Sequence, residues 1–149
     1  MVFLKRMLLV ALASVCLAQG ATAQNWPNLD PLLLSTLTQS GRAEATYWLP
    51  DHIDATQATQ AIGVAYEYIS GSAGNTTIAL GHYRRNGAVW QFVRRLDGVF
   101  GHQPRDALFG PGWAEVTTLM PGPNDPRCCP TALTRWRIDL TRGAAVRLP

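Results

Sequence analysis

The chain has 149 residues and a formal net charge of +3. Without Lys5 and Arg6, which lie in the expected export signal, 11 basic residues remain against 10 acids. The resulting charge of +1 argues against a broad nucleic-acid-binding surface. Apolar residues make up 47% of the sequence and charged residues 15%, which excludes an intrinsically disordered chain.

The N-terminus has the order of features that is typical of an export signal. A basic start is followed by an apolar stretch over residues 7–17 and by Ala-Thr-Ala at 21–23, a small-x-small cleavage site. We therefore expect residues 1–23 to be removed and residues 24–149 to form a single globular domain, periplasmic or secreted. The apolar stretch is shorter than the roughly 20 residues that a membrane-spanning helix needs, and no later segment is long and apolar enough.

The mature chain is predicted to begin with one short helix and to continue in strands. Asp30 and Pro31 precede a leucine-rich stretch and suit the cap and the first turn of a helix, which Gly41 would end. The apolar period then shortens to two over residues 45–49 and 62–68, a pattern that predicts strands with one apolar face.

The clearest local feature is a β-hairpin with Asn86-Gly87 at its tip, a pair that suits a tight two-residue turn. This register places Tyr83 opposite Trp90, Gly81 opposite Phe92, and Ala79 opposite Arg94. The three aromatic residues should then share an inward face of the hairpin. Because both faces carry apolar residues, we expect the hairpin to lie at the centre of the sheet.

Two more strands are predicted after an irregular stretch that begins beyond residue 98. Residues 113–120 favour extended structure, and residues 134–140 alternate between apolar and charged side chains. The proline-rich segment 121–126 separates them, and a last short strand spans 146–148. The sequence thus predicts an α+β fold, a mostly antiparallel sheet with one short N-terminal helix. An all-β sandwich or barrel is the alternative.

Signatures of catalysis and of cofactor binding are weak. The mature chain has no lysine for Schiff-base chemistry or for a phosphate-binding loop. Ser70 stands where a Gly-x-Ser-x-Gly nucleophile motif around Ser72 needs its first glycine. Asp51 and Asp54 could pair in a hydrolytic site, although solvated loop carboxylates are the expectation. The histidines lie far apart, and His82 is expected to be a surface or hydrogen-bonded residue. The sequence therefore assigns no catalytic residue, cofactor or metal site.

Cys128 and Cys129 are adjacent, and they are the only cysteines of the mature chain. Export favours oxidation, which leaves a vicinal disulfide, two thiols, a metal site or bridges to another chain as the choices. Adjacent Cα atoms stand about 3.8 Å apart, closer than the roughly 4.4 Å usual for disulfides, so a bonded pair is unusual. We expect a disulfide that stiffens this corner, with Arg127, Pro130 and Thr131 as candidate ligand-contacting residues beside it.

The Asp-x-Arg-Cys-Cys-Pro-Thr segment at 125–131, with Trp136 in the following strand, resembles the ending of small exported bacterial proteins of the LppP/LprE lipoprotein type. The resemblance covers about the last quarter of the mature chain. Cys16 would be the lipid-attachment residue, but the bulky Val15 stands where a lipoprotein signal has Gly or Ala. The resemblance implies a bacterial cell-envelope protein from a group without an established activity, and a structural role for the cysteines.

These features predict an exported cell-envelope protein with a non-catalytic binding or structural role. The partner is not identified by the sequence, and nucleic acid is not expected. The alternative is a thiol-redox or metal-handling protein that uses Cys128 and Cys129. A histidine close to the cysteine sulfurs would favour the alternative. A concave aromatic groove without converging titratable groups would favour a binding protein.

Overall fold

The computed structural model describes residues 26–149, so the expected export signal at 1–23 lies outside the described residues. One helix and eight strands are assigned in this range. They are α1 (Asp30–Leu37), β1 (Ala43–Pro50), β2 (Gln60–Tyr68), β3 (Thr76–Asn86), β4 (Val89–Leu96), β5 (His102–Gly110), β6 (Trp113–Met120), β7 (Ala132–Asp139) and β8 (Ala144–Arg147). Strands β1–β4 form one antiparallel sheet and β5–β8 another, each in sequence order. The mostly antiparallel architecture with one short helix is confirmed.

The two sheets pack face to face, and α1 covers the other face of the first sheet. The core between the sheets contains Val64 and Leu80 from the first sheet and Val116 and Ile138 from the second. A separate apolar cluster lies between the first sheet and α1. This arrangement is sandwich-like, and the alternative of a closed barrel is wrong.

Two glycines create the surface on which α1 packs. A Cβ atom on Gly81 would lie 2.8 Å from a methyl carbon of Leu37. A Cβ atom on Gly63 would overlap a methyl carbon of Leu33 and lie 2.6 Å from the ring of Tyr83. Packed carbon atoms do not approach so closely, so glycine at both positions lets the helix reach the sheet.

Replacing Gly63 with valine should lower the free energy of unfolding by about 1–3 kcal/mol, because the added methyl groups overpack the interface between α1 and the first sheet. Urea denaturation measures this loss. Ala144, whose side chain is exposed on β8, provides the control. Its replacement by valine adds two methyl groups at an exposed site and should change stability by less than about 0.5 kcal/mol. Equal stability of the two variants would contradict the close packing of α1.

The start of α1 differs in detail from the prediction. Leu29 is the N-cap and Asp30 is the first helical residue, so Asp30 is not the cap that the sequence predicts. Its backbone amide donates to Asn28 Oδ1 at 3.1 Å, while its carboxylate accepts a hydrogen bond from the Thr46 hydroxyl at 2.6 Å. The acid therefore ties the helix to β1. The helix ends at Leu37, before the expected stop at Gly41.

The turn between β3 and β4 lies one residue later than the sequence predicts. Asn86 pairs with Val89, which leaves Gly87 and Ala88 as the two turn residues. Gly87 has a φ of +62°, and glycine at the first central position suits a type II′ turn. Asn86 and Gly87 are therefore not the two turn residues, because Gly87 takes the first central position of the turn and Asn86 ends β3.

A β-bulge at Val93 divides β4 into two halves that face opposite ways. His82 pairs with Arg94 and the next residue, Tyr83, pairs with Phe92, so Val93 has no counterpart. Before the bulge, Phe92 lies on the helix side of the sheet; after it, Arg94 lies on the side of the second sheet. The predicted register is therefore wrong: Trp90 pairs with Arg85, and Gly81 pairs with Arg95. Strand β3 is central as expected, but β4 is an edge strand.

Strand β5 occupies a stretch that the sequence leaves irregular. Gln103 and Asp106 have left-handed φ values of +51° and +54°, and the pairing with β6 shifts near both residues. These irregularities interrupt the two-residue alternation, so the pattern does not predict a strand. Two tyrosines of the first sheet hold β5. The Tyr66 hydroxyl accepts from the Gln103 amide, and the Tyr47 hydroxyl donates to the Pro104 carbonyl, both at 2.9 Å.

Candidate functional site

The cysteine loop, residues 121–131 between β6 and β7, carries the pair that the sequence singles out. The sulfurs of Cys128 and Cys129 lie at disulfide distance, and their Cα atoms are 3.8 Å apart. Both cysteines and Arg127 are exposed, and Pro130 is half-buried. The amide of Cys129 donates to the Pro126 carbonyl at 3.0 Å, which forms a tight turn around the pair.

Asp125 holds the cysteine loop closed from inside. Its Oδ2 accepts hydrogen bonds from the amides of Gly122 and Thr131, both at 2.7 Å, and its Oδ1 accepts from the Thr131 hydroxyl at 2.9 Å. These bonds, first that from Gly122, lower the pKa of Asp125. The hydroxyl of Thr131, one of the candidate contact residues, is therefore engaged within the loop. The geometry explains why the segment has an aspartate at its start and a threonine at its end.

Replacing both cysteines with serine should lower the free energy of unfolding by no more than about 1–2 kcal/mol, because adjacent cysteines close almost no loop in the unfolded chain. Urea denaturation, with free-thiol labelling of the parent protein, measures this. Asp125→Ala is the comparison within the same loop. It should speed hydrogen exchange at the Thr131 amide more than the serine pair does. Unfolding of the serine variant at 25 °C would contradict this small stabilisation, and free thiols in the freshly exported parent would contradict the disulfide.

Asp51 and Asp54, the possible hydrolytic pair, each close a local turn. Asp51 accepts from the amide and the hydroxyl of Thr59 at 2.9 and 2.6 Å. Asp54 accepts from the amide and the hydroxyl of Thr56 at 2.8 and 2.7 Å. The bond from the Thr56 hydroxyl is the main cause of the lowered pKa of Asp54. Both carboxylates thus stabilise their own turns through these hydrogen bonds, and the geometry does not direct them toward a common substrate.

Glu115 is the buried acid that the sequence does not single out. It lies on the outward face of the second sheet, where it forms ion pairs with Arg135 and Arg137. The hydrogen bond from Arg137 is the main cause of the lowered pKa of Glu115. The Arg137 guanidinium also lies 4.3 Å from the centre of the Trp113 ring. The alternation of β7 could have revealed these arginines as neighbours, but their acidic partner comes from β6.

The clearest candidate for ligand binding is an aromatic groove of about 600 Å³ between the turn end of the β3–β4 hairpin and the segment before α1. Its lining includes Trp26, Pro27, Thr56, Arg85, Ala88 and Trp90. The guanidinium of Arg85 donates to the carbonyls of Ala55 and Thr56 at 2.5 and 2.8 Å. These two bonds hold the Arg85 side chain in place at the wall of the groove and use two of its five N–H groups.

The indoles of the groove are held by their neighbours. The ring centres of Trp26 and Trp90 are 6.2 Å apart, and both rings contact Trp48, at 6.3 and 4.8 Å. Trp48 in turn packs on Tyr83, which shares a 2.5 Å hydrogen bond with the Thr36 hydroxyl. Burial raises the pKa of Tyr83 to about 12, so the phenol stays protonated. The groove is thus preorganised by packing that extends to α1.

Two other clefts are less suited to a specific ligand. One of about 720 Å³ opens between the segment after α1 and the β2–β3 loop. Glu67 within it is already engaged, because it accepts from the Gln39 amide at 2.6 Å. The other, of about 440 Å³, lies at one end of the sandwich and is bordered by Phe100 and by Pro121 of the cysteine loop. Tryptophan lines neither of these clefts.

Residues 26–149 contain neither a candidate cluster of metal ligands nor a membrane-spanning helix. No group of three or more His, Cys, Asp or Glu side chains in this range is arranged to hold a metal ion. None of the helices described there is long and apolar enough to cross a membrane. Comparisons with protein-family models, with curated proteins and with solved structures found no match.

Proposed function

We propose that this chain is an exported bacterial cell-envelope protein, periplasmic or secreted, that binds a ligand without chemical turnover. The aromatic groove is the observation that carries this proposal. The export-type N-terminus and the resemblance of the cysteine loop to LppP/LprE-type proteins support the location. A role without turnover is supported by three carboxylates that are already hydrogen-bonded within their own loops, those of Asp51, Asp54 and Asp125.

The groove favours a ligand that contains a ring. Trp26 lines the groove and is half-buried, so its indole can pack against a ring, and the buried Trp90 packs against Trp26. Arg85 gives two of its five N–H groups to carbonyls of the chain, which leaves N–H groups that can donate to the polar rim of such a ligand. Saccharides of the envelope have this chemistry, since their C–H faces are apolar and their rims are polar.

The test uses protein recovered from a periplasmic extract, for which N-terminal sequencing should return Gln24. N-acetylglucosamine oligomers are titrated in while the indole N–H resonances of the five tryptophans are followed by NMR. The signals of Trp26 and Trp90 should shift, whereas those of Trp113 and Trp136 should not. A second titration with an aromatic tripeptide separates sugar rings from aromatic rings as the preferred ligand.

Two matched variants test the same proposal. Trp26→Ala should weaken binding at least about tenfold, a loss of roughly 1.4 kcal/mol. Trp113→Ala, on the outward face of the second sheet, should leave the affinity unchanged. Absence of binding in both titrations, or equal shifts of Trp26 and Trp113, would contradict a specific groove.

Thiol redox chemistry at Cys128 and Cys129 is the second candidate, because the pair is exposed on a loop where a small thiol can reach it. Exchange with a dithiol would reduce the pair to two thiols and oxidise the dithiol to its disulfide. Incubation with reduced lipoic acid, followed by thiol labelling, measures this exchange. Rapid, reversible exchange that is lost in the double serine variant would favour this candidate over simple bracing.

A further inference from the structure

His82 lies on the face of β3 that packs toward the second sheet, and only 1% of its surface is exposed. Its Nε2 atom is 3.1 Å from Oε1 of Gln60 on β2. Its other ring nitrogen, Nδ1, is buried and has no hydrogen-bond partner among the described residues. A buried nitrogen without a partner is unusual in a folded protein and indicates a missing contact.

Arg94 has the complementary feature. It pairs with His82 directly across the β3–β4 ladder, and its Nε atom is also buried without a partner among residues 26–149. The turn between β7 and β8 packs against the aliphatic part of the Arg94 side chain, since a Cβ atom on Gly143 would lie 3.2 Å from Arg94 Cδ. Two unpaired polar atoms therefore stand on neighbouring strands, on the same face of the sheet, and both are shielded from solvent.

The hydrogen-bonding roles of the two atoms follow from their neighbours. Because the Gln60 oxygen accepts, Nε2 of His82 carries the proton and Nδ1 is left as an acceptor. Nε of Arg94 always carries a hydrogen and can only donate. An anion could accept from Arg94 but could not donate to Nδ1. A cation would be repelled by Arg94 and by Arg84, whose positive charges both act on the His82 ring.

We propose that His82 and Arg94 bind one buried water molecule, which donates to Nδ1 and accepts from the Arg94 Nε–H. Water is a small neutral molecule that supplies one donor and one acceptor at a buried polar site. The water links β3 to β4 at the bulge, where the ladder of backbone hydrogen bonds is interrupted. It is an internal part of the fold and is independent of the aromatic groove.

The charges around the ring keep it in the required form at neutral pH. Burial, followed by Arg84 on β3 and Arg94 on β4, lowers the pKa of His82 to about 4. Gln60, which faces the ring from β2, is uncharged. The neutral ring thus retains the free Nδ1 lone pair to which a water can donate.

NMR of the full exported protein, labelled with ¹⁵N, tests the proposal at pH 7. Long-range ¹H–¹⁵N correlations should show His82 as the Nε2–H form. Water should give cross-peaks to His82 Hε1 and to Arg94 Hε, with NOE and ROE of opposite sign, as for water held inside a protein. Arg94→Met retains most of the apolar stem but lacks the donor, so the cross-peak between water and His82 Hε1 should disappear. The matched control, Arg84→Met, should retain both cross-peaks.

Three results would overturn the proposal. They are an Nδ1–H form of His82, missing water cross-peaks in the parent protein, and a cross-peak between water and His82 Hε1 that persists in Arg94→Met. A direct hydrogen bond between Nδ1 and Arg94 would appear as the second of these. The parent protein alone decides the first two, so the proposal remains testable if Arg94→Met does not fold.

Discussion

Replacing Trp90 with alanine should lower the free energy of unfolding by about 3–5 kcal/mol, the range for a buried large aromatic residue. The side chain is only 6% exposed and packs on Trp26 and Trp48. Its removal would leave a cavity under the aromatic groove that the two neighbouring indoles cannot readily fill. Urea denaturation at constant pH gives the loss directly.

Phe92→Ala is the matched control, because Phe92 lies on the same face of the same strand but is 36% exposed. Its loss should be smaller, about 1–2 kcal/mol, since less apolar area leaves water on folding. The sequence predicts both rings to lie inward, and for Phe92 this is only partly so. A loss below about 1 kcal/mol for Trp90→Ala would contradict the burial of its ring in the apolar cluster between the first sheet and α1.

Acid should destabilise the protein through His82 before its carboxylates are protonated. The pKa of His82 is about 4 in the folded chain, against an ordinary value of 6.5, so the unfolded chain binds the proton more readily. The free energy of unfolding should be fully retained above pH 6.5 and should fall as the pH drops from 6.5 to 4. The total loss is on the order of 3 kcal/mol, at about 1.4 kcal/mol for each pH unit between the two pKa values.

Urea denaturation at several pH values between 7 and 4.5 isolates this effect, because the carboxylates with lowered pKa values titrate below that window. His82→Gln should abolish most of the slope. His52→Gln, at an exposed loop histidine, should keep it. The same slope in the parent and in His82→Gln would show that another group carries the acid sensitivity.

The strands with regular alternation could be predicted from the sequence. Residues 113–120 form β6 as predicted, and β7 buries Trp136 and Ile138 while exposing Arg135 and Arg137. Each of these strands pairs without a bulge along β6 and β7, so a period of two is preserved from end to end. Local pattern is sufficient where the ladder is regular.

The bulged strands and the groove could not be predicted from the sequence in the same way. Gln103 and Asp106 adopt left-handed backbone conformations that nothing in their side chains demands, so β5 has no recognisable pattern. The groove needs Trp26 and Trp48 beside Trp90, and these residues come from three distant segments. Periodicity can assign a side chain to a face, but it cannot say which other segment covers that face.

The bulge at Val93 makes the length of β4 as important as its composition. Deleting Val93 would make Phe92 and Arg94 consecutive, so the strand would alternate without a break and both halves would keep their present faces. Deleting Arg95 instead would leave the bulge in place and turn Leu96 away from the core between the sheets. A single-residue deletion beyond the bulge should therefore destabilise the protein more than deletion of Val93 itself. Insertions and deletions in related chains should accumulate in the loops and avoid this strand.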